Sequence, residues 1–155
     1  MSFKIPQISD VLKRYIVLVL SALGLLISLI IHFFIENGDN LAGCKVGSYF
    51  NCDFVINSAY GKIFGIPLSL LGAFYFLCLL AIYAVDFYDD YVIAGVAIVG
   101  ILSIVDFLYI EFFLVNHFCL YCTSIHIIVI IIFILIGPSA IKNSYEKLKL
   151  KYQES

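Results

Sequence analysis

Four of the five cysteines fall into two close pairs, Cys44 with Cys52 and Cys119 with Cys122, while Cys78 stands alone. The run Cys119-Leu120-Tyr121-Cys122 has the C-x-x-C spacing of thiol–disulfide chemistry. On a helix, positions i and i+3 share a face, close enough for a strained but formable disulfide. At a helix start, unpaired N–H groups and the helix dipole stabilise a thiolate, the form that attacks disulfides and electrophiles. The same spacing also suits a structural disulfide, or half of a zinc site completed by Cys44 and Cys52. Two pairs on one face permit a relay, because exchange proceeds by thiolate attack through a mixed disulfide. A static Cys44–Cys52 staple across an exposed loop is the competing reading.

The elements that must position these pairs are read from hydropathy. Of 155 residues, 63% are apolar and 13% charged, and mean hydropathy is +1.08. A soluble fold of this length could not hide so much apolar surface, so lipid must cover much of it. A net charge of −2 leaves no basic patch for nucleic acid. Four runs have the length of a membrane span, at about 15–35, 66–85, 91–114 and 119–136. Pro67 suits the first turn of the second, and Gly137-Pro138 reads as the stop of the fourth. The first run is longer than the apolar core of a signal peptide and has no A-x-A-like site after it, so it reads as a retained helix. The expected fold is an all-α integral membrane protein, a single four-helix bundle over 1–155. A cysteine-bearing extracytoplasmic loop spans 36–65 and a basic cytoplasmic tail spans 137–155.

Orientation follows from the basic residues. Seven of them (Lys4, Lys13, Arg14, Lys142, Lys147, Lys149, Lys151) fall on the face holding both termini, and two (Lys45, Lys62) on the other. The positive-inside rule puts both termini in the cytoplasm. Cys44, Cys52, Cys119 and Cys122 then gather on the oxidising side, while Cys78 sits mid-span as ordinary packing.

These residues, in this order, resemble the vitamin K epoxide reductase family and its prokaryotic quinone-reducing relatives. The resemblance rests on Cys44 and Cys52, Ser58, the stretch from Tyr60 to Pro67 (YGKIFGIP), and Cys119-Leu120-Tyr121-Cys122. It covers about Lys13 to Ile136. It implies a four-helix bundle around a quinone of menaquinone or ubiquinone type, with electrons entering at the loop pair and leaving from the helix pair. Cys44 would exchange with the partner's thiols, Cys52 would pass electrons to Cys119, and Cys122 would face the quinone. Ser58 matches a serine or threonine above the quinone, and Phe64 the aromatic beside it. Vitamin K-specific members carry a tyrosine four residues after the second helix cysteine, where this chain has His126. Many prokaryotic relatives carry a fused thioredoxin-like domain after the last helix. This sequence has none, so a separate extracytoplasmic thioredoxin-like protein is the expected partner. A prokaryotic plasma membrane is the expected location.

Two polar residues inside the spans complete the expected site. Cys119, Cys122 and His126 fall on one stripe of helix four, with His126 about 10 Å below Cys119. Asp106 is expected at similar depth on helix three. An ionisable group within a bilayer is a functional hypothesis by default. His126 is expected to hydrogen-bond a quinone oxygen, and Asp106 to pair with it or assist proton delivery. The competing reading makes both structural pins between helices. His32 and Glu111 are expected to be solvated near the outer boundary, and Asp86, Asp89 and Asp90 to form a solvated turn. The enzyme expected is a quinone-dependent thiol–disulfide oxidoreductase supporting disulfide formation. Vitamin K epoxide reduction with the same cysteines is one alternative, and a non-enzymatic metal-binding or scaffold protein another.

Overall fold

The computed structural model describes residues 8–37, 45–46, 50–85 and 89–153. The first long apolar run forms α1 (Ile8–Asn37). Its buried side carries Val17, Ser21, Gly24, Ser28 and Ile31, at alternating intervals of four and three. An average repeat of 3.5 gives the shallow left-handed crossing of bundled helices. The three central members are small. Where lipid surrounds the helices, close backbone approach rather than water exclusion drives association, and small residues allow it. The neighbour they admit is α3 (Leu68–Ala84), which buries Ala73, Phe76, Leu79 and Tyr83. A Cβ on Gly24 would fall within the Phe76 ring.

The second pair is α4 (Asp90–Tyr109), continued by a π-helical turn (Ile110–Val115), and α5 (Leu120–Gln153). Asp89 caps α4 by accepting the Tyr91 N–H at 3.0 Å. Asp90 pairs with Lys147 at 2.6 Å and accepts from Asn143 at 3.3 Å. Of the three aspartates expected merely to be solvated, Asp89 therefore caps α4 and Asp90 fastens α4 to α5, while Asp86 lies outside the described residues. α1 packs along α3, α4 along α5, and α1 against α5, around a core that includes Val17, Phe76, Leu79, Ile104, Val129 and Ile132. The outward faces stay apolar: Val19, Leu26 and Phe33 on α1, Phe74 and Leu77 on α3, Val99 and Leu102 on α4, Ile134 on α5. Surface of that kind requires a non-aqueous surround. Three helical spans, Asp10–Phe34, Asp90–Val115 and Leu120–Gln153, are long and apolar enough to cross a membrane. The fourth expected span is the shorter α3, apolar throughout; Ile66 and Pro67, assigned to it from sequence, pair instead in a hairpin strand.

α5 does not stop at Gly137-Pro138. Proline removes one helical hydrogen bond and crowds the carbonyl four residues back, yet apolar surroundings tolerate it when neighbours hold the helix. Here Ala140 and Ser144 are buried beyond the proline, and Lys147 is tied to Asp90. Those contacts carry the helix on to Gln153. The 137–155 segment expected as a tail is thus helical through residue 153.

Between α1 and α3 the described residues form short elements. Strands β1 (Lys45–Val46) and β2 (Phe50–Asn51) pair antiparallel, and α2 (Cys52–Ile56) follows directly. A 3-10 turn (Ala59–Gly61) leads into the hairpin β3 (Lys62–Ile63) and β4 (Ile66–Pro67). Its two-residue turn is Phe64-Gly65, with φ of 51° and 83°, the left-handed pair that a type I′ turn needs.

Replacing Gly24 by Leu is expected to destabilise the α1–α3 pair by about 1–3 kcal/mol. A lowered thermal midpoint of the detergent-solubilised protein would register it.

Candidate redox site

Each cysteine of the helix pair is held by main-chain geometry. After the π-helical turn the chain reverses at Asn116, which takes the left-handed conformation (φ 54°) that asparagine tolerates. Cys119 then opens α5 in the manner of a capping residue. Its sulfur accepts the Cys122 N–H at 3.2 Å. Its carbonyl accepts the N–H and the hydroxyl of Thr123, each at 2.9 Å. An N–H aimed at sulfur at a helix start favours negative charge on that sulfur. The Cys119 N–H itself points back to the Glu111 carboxyl, at 3.4 Å.

The loop brings Cys52 to the same place. The Asn51 N–H donates to the Phe118 carbonyl at 3.1 Å, and the Asn51 side chain caps α2 by accepting the Phe54 N–H at 3.2 Å. The Phe54 ring lies 4.7 Å from the His117 ring, and His117 Nδ1 is held at 2.9 Å from the Val115 carbonyl. These contacts seat the start of α2 on the turn that precedes α5. Cys52, Cys119 and Cys122 are buried in one apolar cluster with Ile31, Val55 and Val115. Cys52 is in a disulfide; Cys119, Cys122 and the half-buried Cys78 carry free thiols. Cys44 lies outside the described residues.

Of the other expected site residues, His126 joins the cysteines. It is buried one turn below Cys122, packs edge-on against Phe107 at 5.3 Å, and its Nδ1 has no partner among the described residues. Ser58 is half-buried where α2 ends, its hydroxyl donating to the Val55 carbonyl at 2.7 Å. Two expected residues stand apart. Asp106 is exposed on the outer side of α4, and Phe64 is fully exposed at its hairpin tip.

Glu111, expected to be solvated, is instead completely buried. Its position continues the buried face of α4, from Ala97 through Gly100 and Ile104. That three-and-four spacing was available in the sequence and separates Glu111 from Asp106, which lies off the stripe. Depth alone favours Asp106.

The vitamin K epoxide reductase family matches residues 15–136. The chain belongs to that family. No individual curated protein matches it at a significant level. As a vitamin K epoxide reductase family member built of long apolar helices, it is an integral membrane oxidoreductase. Three of the four cysteines singled out from sequence lie in the one buried cluster, and the family match spans them all.

Phe54, two residues after Cys52, holds its ring against His117, two residues before Cys119, while remaining half in solvent. Replacing it by Ala removes a ring contact worth about 0.5–1.5 kcal/mol and is expected to speed maleimide labelling of Cys119 several-fold. Timed labelling of the reduced protein, resolved by mass spectrometry, measures the change.

Proposed function

We propose that this protein oxidises the thiols of a separate extracytoplasmic thioredoxin-like protein and delivers the electrons to a membrane quinone, supporting disulfide formation in exported proteins. The observation that carries the reading is the burial of Cys52 beside Cys119 and Cys122. A relay needs the loop pair to reach the helix pair, and a mere loop staple does not.

The exchange runs in two directions of attack. A partner thiolate opens the loop disulfide at Cys44 and frees the Cys52 thiolate. That sulfur attacks Cys119 of an oxidised helix pair and releases Cys122. The partner's second thiolate breaks its mixed disulfide with Cys44, and the freed Cys44 thiolate attacks Cys52 of the Cys52–Cys119 bond. The partner leaves oxidised, the loop pair is again a disulfide, and the helix pair is reduced. A disulfide-bonded Cys52 lacks the thiolate that a four-cysteine zinc site requires.

The residues near Cys122 fit a quinone. A buried ring nitrogen without a protein partner is costly unless something bonds to it, and the orphaned Nδ1 of His126 suits a carbonyl oxygen. The His126 and Phe107 rings, with Ser58 above, would hold the group, which takes up two electrons and two protons when bound. We further propose four spans, both termini in the cytoplasm and the cysteines outside, on the strength of the lysine asymmetry. A prokaryotic plasma membrane and a quinone of menaquinone or ubiquinone type complete the reading. A histidine in place of the tyrosine of vitamin K-specific members speaks for quinone rather than epoxide.

Turnover of a quinone by the purified protein with a reduced thioredoxin-like donor tests the proposal. Cys44→Ala and Cys122→Ala are each expected to abolish it, since every exchange step needs both sulfurs of a pair. His126→Phe is expected to cost about tenfold, the worth of one hydrogen bond to the acceptor. A folded protein that reduces no quinone, or whose cysteine variants turn over normally, would overturn the reading.

A further inference from the structure

Glu111 is used by nothing described so far. Its carboxyl is buried within the helical layer, one oxygen taking the Cys119 N–H at 3.4 Å and the other enclosed without a partner among the described residues. A carboxylic side chain in such a place is expensive, and the cost is met only where the group has work or full satisfaction. Half of its hydrogen-bonding capacity is unmet. It sits on the first turn of a π-helical segment, a distortion that recurs at functional sites.

The start of α5 offers stabilisation for one negative charge, and two kinds of group compete for it. Glu111 receives the Cys119 N–H, and the Cys119 sulfur receives the Cys122 N–H. Holding charge on carboxyl and sulfur together is repulsive in a medium of low dielectric. Moving a proton from thiol to carboxyl leaves the total charge unchanged, and so avoids exporting a proton from a site walled by Ile31, Val55 and Val115. The other ionisable groups at this space are Cys52 from α2, which is in a disulfide, Tyr121 of α5, which packs against the cluster, and His126 one turn farther down α5.

We propose that Glu111 is the proton-exchanging group of the cysteine pair. The inference rests on the relay proposed above. Its carboxylate takes the proton of a Cys119 or Cys122 thiol as that sulfur becomes nucleophilic. Two electrons leave the dithiol as the Cys119–Cys122 bond forms. Both thiol protons follow the electrons to the acceptor, one by way of the Glu111 carboxyl, so that dithiol plus quinone gives disulfide plus quinol.

Glu111→Gln tests this without disturbing shape, since the amide oxygen can still accept the Cys119 N–H. Two readouts are taken on the pre-reduced full chain in detergent: single-turnover reduction of a short-chain quinone, and reaction with 4,4′-dithiodipyridine, a disulfide that needs no quinone site. The expected result is a slowing of about tenfold or more in both, the scale of lost general acid–base assistance, with Glu111→Asp recovering part of it. A Glu111→Gln rate equal to that of the unaltered protein overturns the proposal. So does a faster one, which would mean that the carboxylate acts on the thiols by repulsion alone. If the unaltered protein reacts with dithiodipyridine but reduces no quinone, the functional reading fails, while the disulfide reaction still judges Glu111.

Discussion

The start of α5 lies in a dry cluster, and the N–H groups that open any helix must find acceptors there. The protein supplies them from a cysteine sulfur and a buried carboxyl group. That single requirement organises the neighbourhood. It fixes Cys119 as the residue that opens the helix, calls Glu111 inward from α4, and sets Cys122 three residues along on the same face. The Phe118 carbonyl, just ahead of this start, is the point at which the loop docks through the Asn51 N–H. Chemistry and helix capping thus use the same atoms.

The remainder of the bundle keeps that junction in place. The α4–α5 pair is closed at its other end by Asp90 and Lys147, so a side-chain bond joins the two at each end, Glu111 to the Cys119 N–H and Asp90 to Lys147. The α1–α3 pair is set by close approach at Gly24, with Ile31 of α1 reaching up to wall the cysteine cluster. Lipid is as apolar as the helix interface, so the pairing depends on fit rather than on burial of greasy surface.

Much of this was legible in the sequence, because cysteine spacing and hydropathy are local signals. The C-x-x-C pair, the spans of α1 and α4 and the placing of His126 on the cysteine stripe all follow from periodicity and run length. What escaped depended on partners distant in sequence. Pro138 reads as a stop, and only the burial of Ala140 and Ser144 with the Asp90–Lys147 pair explains why the helix continues. Depth in the membrane favours Asp106 over Glu111, whereas helical phase decides which of them meets α5. Phe64 occupies a left-handed turn position that sequence rules reserve for glycine or asparagine, so its exposure at a hairpin tip had no local cue.

The π-helical turn at Ile110–Val115 has a bearing on how this chain is compared with its kin. Such a turn holds one more residue than an α-helical turn, so the chain lengthens there without a matching advance in rotation. In a relative whose third span is plainly α-helical at this point, side chains beyond the turn keep step with these only across a one-residue gap. Matched without that gap, the position opposite the cysteines would be read as a neighbour facing elsewhere. Glu111 is therefore an address in space more than a number in a sequence, and its counterparts are to be sought by what meets the first helix cysteine.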